Sequence, residues 1–231
     1  MKNNILSIIL TLFITVIANS QITEGHISYT IVSTTSNPEM EMLLVMMDSS
    51  KLEVYFTKDK TRAEMTMGIM MTVTTITDSK SKEMLMLMDG NGQKNAFKSP
   101  IPEASKDSID SFGNKITLSE ETKTIQNYVC KKAIITDSLG VQSVYWYTNL
   151  IDVNLQGQTY FNSLVPGFPL EYEIINGELK MLMAVTLIEK KISKDLLKKV
   201  FNTEVPKEYT LVSVDELKGM SETEEDIETE E

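Results

Sequence analysis

The chain has 231 residues, with 22 Lys+Arg against 33 Asp+Glu (formal net charge −11), one Cys, one His, one Trp and 15 Met. One Cys and one His build neither a Cys/His zinc site nor a disulfide framework, and the acidic balance argues against a nucleic-acid binder, which shows a basic patch or stripe. At 42% hydrophobic residues, the composition fits neither a disordered chain nor a polytopic membrane protein.

Residues 1–20 read as a secretory signal peptide. Lys2 is the positive n-region, Ile5 to Ile17 is an apolar run broken only by Ser7, Thr11 and Thr15, and Ala18-Asn19-Ser20 places small residues ahead of cleavage before Gln21. The run is short against the roughly 20 residues of a membrane span. No Cys follows it to carry a lipid. The mature chain is therefore expected to be periplasmic or secreted, and not membrane-spanning after signal cleavage.

A single domain is expected over 21–220, since no Pro/Ser/Gly-rich linker divides it. Its pattern is mostly period two, the signature of strands. Ile27, Tyr29 and Ile31 alternate with Ser28 and Thr30. Ser36-Asn37-Pro38-Glu39 then reads as a helix start, a cap candidate followed by Pro and Glu, and Met40, Leu43, Leu44 and Met47 repeat at helical spacing. The alternation returns at Leu52, Val54 and Phe56, and at Ala63, Met65 and Met67. Further strands are predicted at 70–77, 83–89, 93–98, 115–119, 128–137, 141–148, 169–176 and 178–191. Asp89-Gly90-Asn91-Gly92 and Asn176-Gly177 supply tight hairpin turns, and Ser138-Leu139-Gly140 is a third. A brief helical turn is predicted at Lys194–Val200, and Ser213-Val214-Asp215-Glu216 is a capping box ahead of another short helix. About ten or eleven antiparallel strands in one domain must curl. The expected fold is mainly β (α+β): a curved antiparallel half-barrel with two or three short helices.

Ser221 to Glu231 holds seven acidic residues in eleven. Such a run repels itself and buries too little to offset its ordering entropy, so a disordered acidic tail is expected over 221–231. Without it, residues 21–220 carry 21 basic against 26 acidic side chains, a balance of −5.

Eleven methionines fall between Met40 and Met88. On 83–89, Met84, Met86 and Met88 share one face while Leu85 and Leu87 share the other; a strand apolar on both faces is covered on both. The helix at 38–48 is the expected cover for one side, the barrel interior for the other. Three readings stay open. The methionines fill an irregular core, line an adaptable cavity for apolar ligands, or form a soft Cu(I) site. The last normally draws on a nearby histidine, and the only one is His26.

Catalytic chemistry finds little footing. Any Ser/His/Asp or Cys/His scheme must use His26 as base, and a strand-edge histidine is the plainer reading. Cys130 reads as a small buried hydrophobe, although neighbouring lysines would lower a thiol pKa. No G-x-G-x-x-G, P-loop, H-E-x-x-H or G-x-S-x-G segment is present. Asp89-Gly90-Asn91-Gly92 lacks the remaining carboxylates of a calcium loop. A carboxylate pair for glycoside hydrolysis has nothing to promote it.

Several segments together are distinctive: Gly25-His26-Ile27-Ser28-Tyr29, Tyr55-Phe56 through Arg62-Ala63-Glu64-Met65, Met86-Leu87-Met88-Asp89 with Gln93-Lys94, Thr122-Lys123-Thr124-Ile125-Gln126-Asn127-Tyr128-Val129-Cys130-Lys131-Lys132-Ala133, Tyr145-Trp146-Tyr147-Thr148, and Pro166-Gly167-Phe168-Pro169-Leu170-Glu171-Tyr172. With these, residues 24–220 resemble a family of exported envelope proteins of unknown function related to the GLPGLI family. Asn127 stands where that family more often has glycine before the tyrosine. The resemblance implies a fold similar to the lipoprotein-carrier (LolA/LolB-like) half-barrel, around an apolar cavity plugged by helices. It brings no catalytic residues and no cofactor.

The leading expectation is a non-catalytic exported protein that binds an apolar ligand, a lipid or acyl chain, lined by Met65, Met67, Met84, Met86, Met88, Met181 and Met183, with Trp146 or Tyr145 at the mouth. The alternative is an envelope protein with a filled core that acts through contacts with a protein partner. Cu(I) binding and hydrolysis rank below both.

Overall fold

Twelve strands join in one open, curved sheet in a computed structural model that describes residues 21–102, 113–213 and 216. The strands are β1 (Gly25–Thr35), β2 (Lys51–Phe56), β3 (Lys60–Met67), β4 (Met71–Asp78), β5 (Glu83–Gly90), β6 (Gln93–Pro100), β7 (Lys115–Ile125), β8 (Tyr128–Thr136), β9 (Gln142–Thr148), β10 (Phe168–Asn176), β11 (Leu179–Glu189) and β12 (Thr210–Leu211). Across the sheet the order is β12-β6-β5-β4-β3-β2-β1-β11-β10-β9-β8-β7. Two antiparallel meanders, β1–β6 and β7–β11, are thus joined where β1 pairs with β11. The only parallel pair of strands among the described residues is β12 with β6. The mainly β half-barrel read from the sequence is the observed architecture. The predicted signal peptide and acidic tail lie outside the described residues.

Turn chemistry works where it was legible. Asn91 and Gly92 take φ of 53° and 74° between β5 and β6, the left-handed pair that a two-residue hairpin requires. The capping box also forms: Glu216 N–H donates to Ser213 Oγ at 3.2 Å, and Ser213 N–H donates to Glu216 Oε2 at 2.7 Å. The helix expected beyond it falls outside the described residues.

The helix predicted over 38–48 is instead two short pieces, a 3-10 turn at Pro38–Met40 and α1 at Glu41–Met46. Asn37 Oδ1 accepts from Glu39 N–H at 2.9 Å and starts the turn. Neither piece contains a buried residue, so neither gains enough apolar burial to extend. Nor does α1 cover β5. It sits against the β3–β4 turn, where Ile69 N–H donates to the Met46 carbonyl at 3.1 Å. Gly68 makes that approach possible: its φ is 49°, and a Cβ there would lie 1.9 Å from the Met46 oxygen.

Alternation sends most apolar side chains of β1–β3 and β8–β11 to one face, whereas β5 carries them on both. On the inner face, β1–β3 and β8–β11 contribute to one large core, together with Ile22, Ile151, Phe161 and Val165 from the connecting segments. Aromatic rings fill its centre: Tyr172 stacks on Tyr145 with centroids 5.3 Å apart and meets Tyr29 edge-on at 5.9 Å. Burying each such side chain contributes about 1.5–3 kcal/mol. On the outer face, the chain after β11 forms α2 (Lys194–Val200) and continues across the sheet. Ile192, Val200 and Phe201 pack there with Tyr55. Further on, Val205 and Tyr209 cover Ile76, Leu85, Leu87 and Ala96. The cover expected from the 38–48 helix is thus supplied by the C-terminal segment.

Candidate functional site

The segment 149–167, between β9 and β10, decides how much of the inner face stays open. It reaches over one end of β3–β5. Thr61 Oγ1 donates to the Asn154 carbonyl at 2.8 Å, and Gln158 Nε2 donates to Thr77 Oγ1 at 3.1 Å. Tyr160 OH donates to the Val73 carbonyl at 3.3 Å. Met84 lies under this segment and is buried; a Cβ on Gly157 would stand 3.4 Å from its sulfur.

Register explains which methionines share a surface. Met84, Met86 and Met88 stand opposite Thr77, Thr75 and Val73 on β4, which in turn stand opposite Thr61, Ala63 and Met65 on β3. Met65 and Met183 are fully part of the aromatic core, and Met67 and Met181 are half-buried against it. Met86 and Met88 are half-buried beside Phe97 and Asn95, their partners on β6. The seven methionines therefore do not form one lining. Met65, Met67, Met181 and Met183 meet in the aromatic core from β3 and β11, whereas Met84, Met86 and Met88 lie on β5 outside it. Two clefts, of about 870 and 320 Å³, open on the described surface, and none of the seven lines either.

The two expected mouth residues point apart. Tyr145 is buried against Tyr172, and burial pushes its phenol up to about 12. Trp146 pairs with Lys132 and Glu171, and the ammonium groups of Lys123 and Lys132 sit 5.6 and 5.9 Å from its ring centre.

Among the described residues, five buried side-chain oxygens have no hydrogen-bond partner: Ser33 Oγ, Thr75 Oγ1, Tyr128 OH, Gln158 Oε1 and Tyr172 OH. Each such atom costs about 1–3 kcal/mol, and unpaired groups of this kind mark where water or a ligand bonds. Thr75 stands opposite Met86, and Gln158 bonds the neighbouring Thr77 on the same strand.

One cluster was invisible in the sequence. His26 Nε2 lies 2.7 Å from Glu53 Oε2, and its Nδ1 lies 2.9 Å from Glu189 Oε2. Its ring stacks on Tyr55 at 4.2 Å. Ser28 donates its hydroxyl proton to Glu53 at 2.6 Å, while His26 Nε2 is 3.4 Å away. The serine thus engages the carboxylate rather than a base, and the group ties β1 to β2 and β11. It occupies the outer face, opposite Met65, Met84 and Met86, so no histidine joins those methionines. Among the described residues no group of three or more His, Cys, Asp or Glu is set to hold a metal ion. Cys130 is buried, which pushes its thiol up to about 11 and withdraws it from nucleophilic use.

No protein-family model matches the sequence, and no curated protein matches it. Among solved structures, the chain is similar to the Mycobacterium tuberculosis lipoprotein LppX at 11% identity, covering 74% of this chain and 89% of that one, with a TM-score of 0.32. It is similar also to a LolA superfamily protein from Nitrosomonas europaea at 10% identity, covering 78% and 90%, with a TM-score of 0.25. Superpositions with TM-scores this low carry no functional argument. Among the described residues, no helix is long and apolar enough to cross a membrane.

Proposed function

We propose that this is a non-catalytic exported protein that binds an apolar ligand with a polar end, such as a lipid or acyl chain, on the methionine-bearing inner face of β3–β6. The observation that carries the reading is the pairing of unpartnered, buried Thr75 Oγ1 and Gln158 Oε1 with half-buried Met86 and Met88. Thioethers on flexible side chains adapt to an acyl chain, and the two oxygens offer hydrogen bonds to its polar end. Export is supported by the apolar run Ile5–Ile17 and the small residues before Gln21. The resemblance to GLPGLI-related envelope proteins points the same way. Titration with a fluorescent fatty acid tests the binding: saturable uptake, lost on Met86→Gln/Met88→Gln substitution, is the expected result.

A second reading is favoured by a different observation. Met42 and Val45 on α1 and Ile69 beside them are 76%, 76% and 85% exposed. An exposed apolar group of this kind suits contact with a protein partner, and the aromatic filling of the main core fits a molecule that acts through its surface.

A further inference from the structure

Five lysines crowd into the ten residues after β11: Lys190, Lys191, Lys194, Lys198 and Lys199, with Asp195 the only acid among them. The stretch 190–199 therefore carries a balance of +4 within a body whose balance is −5. All five lysines are exposed, and none enters an ion pair among the described residues. Ser193 caps α2 by accepting from the Leu196 amide, and Ile192, Val200 and Phe201 pack the segment against Tyr55 of β2. The cations are thus held together on one ledge of the outer face.

Helix stability does not account for them. Lys198 and Lys199 suit the last turn of α2, but Lys194 opens the first turn, where the helix dipole disfavours a cation. Lys194 and Lys198 also stand four residues apart, the spacing at which like charges on a helix repel. A patch that weakens its own helix points to an anionic occupant.

The chain itself carries one. Residues 221–231 hold seven acidic side chains, with Ile227 as the one large apolar side chain. From α2 the chain crosses the outer face to β12 at the β6 edge, and residues 217–231 follow on from there. β6 and β2 are four strand spacings apart, about 19 Å, and fifteen residues reach up to about 50 Å. We propose that residues 221–231 fold back onto the lysine patch of 190–199. The carboxylates meet the ammonium groups, and Ile227 lies beside Leu196, which is 37% exposed among them. Covalent attachment raises the effective concentration of the acidic stretch to the order of mM, which favours it over a dilute external anion. The contact is independent of the methionine-bearing face.

A nitroxide attached to Thr229→Cys in the full chain tests it, Cys130 being buried. The amide signals of 194–199 are expected to lose about half or more of their intensity at about 0.01 M salt. They should recover at about 1 M salt, where the Debye length has fallen from about 30 to about 3 Å. They should also stay intense in the Lys194→Gln/Lys198→Gln/Lys199→Gln variant, whose changes are all exposed; an unchanged circular dichroism spectrum verifies its fold. The inference is overturned by absence of broadening at 194–199 or by equal broadening in the triple variant. Broadening that appears only between spin-labelled and isotope-labelled molecules would overturn it too, making the occupant a second copy. So would wild-type binding to phosphatidylglycerol vesicles as tight as that of a chain ending at Met220, which would assign the patch to an anionic lipid surface.

Discussion

Met86 and Thr75 stand opposite each other on β5 and β4, the thioether half-buried and the hydroxyl buried with no hydrogen-bond partner. A packed core does not normally retain an unpaired hydroxyl beside a flexible, accessible side chain, because the hydroxyl costs stability and the methionine gains little. The pair makes sense as the meeting point of a ligand's polar end and its apolar body.

Thr75→Val tests the hydroxyl directly. Valine keeps the shape and the β-branch while removing the unpaired oxygen, so the ligand-free protein should be more stable by about 1 kcal/mol. Urea unfolding measures this. The same variant should bind a fluorescent fatty acid less tightly, so stability and affinity move in opposite directions. A loss of stability would mean that the hydroxyl contributes to the fold itself.

The methionines should separate by burial. Met183 is 0% exposed in the aromatic core, and Met183→Ala should cost about 2–5 kcal/mol. Met86→Ala, at a half-buried position, should cost about 1 kcal/mol or less, its effect appearing in ligand binding. Denaturation midpoints of the two variants compare them.

Alkaline pH should unfold the protein. Burial raises the Cys130 thiol from 9.0 to about 11 and the Tyr145 phenol from 10.0 to about 12; Tyr29 and Tyr172 are raised as well. The unfolded chain releases these protons first, so stability is present below the ordinary thiol and phenol values and falls as pH rises toward about 11 and about 12. Thermal unfolding at pH 8 and at about pH 10.5 should show this. A thiol reagent at pH 8 should react with Cys130 only after denaturation.

Gly68→Ala should detach α1. The added Cβ meets the Met46 carbonyl at 1.9 Å and φ is 49°, so a loss of about 1–3 kcal/mol is expected. Hydrogen exchange should rise at the Ile69 amide, whose partner is that carbonyl.

Strands β1–β3 were legible because each buries mainly one face and keeps its alternation, whereas β5, buried on both, showed as a continuous apolar run. Periodicity predicts β7 only to 119, yet it runs to Ile125: its polar stretch Ser119-Glu120-Glu121-Thr122 coincides with the register shift against β8 and carries no alternation. The segment 149–167 has no period at all, yet its Ile151, Phe161 and Val165 close the core; irregular backbone buries residues without a repeat to announce them. Met65 and Met67 meet Met181 and Met183 in one core across β2 and β1 while the three methionines of β5 stay outside it, a fact of topology. His26 found its carboxylates at Glu53 and Glu189, 27 and 163 residues away, through registers that no local pattern encodes. The unpaired oxygens of Thr75 and Gln158 likewise exist only once the covering segment is in place.

Uptake of an acyl chain by the inner face of β3–β6 is tested most directly by titrating a fluorescent fatty acid into the purified protein and into the Met86→Gln/Met88→Gln variant. Saturable binding to the first, weakened by about tenfold or more in a variant of unchanged thermal stability, is the predicted result. No uptake by the wild-type protein, or equal uptake by both, would contradict it.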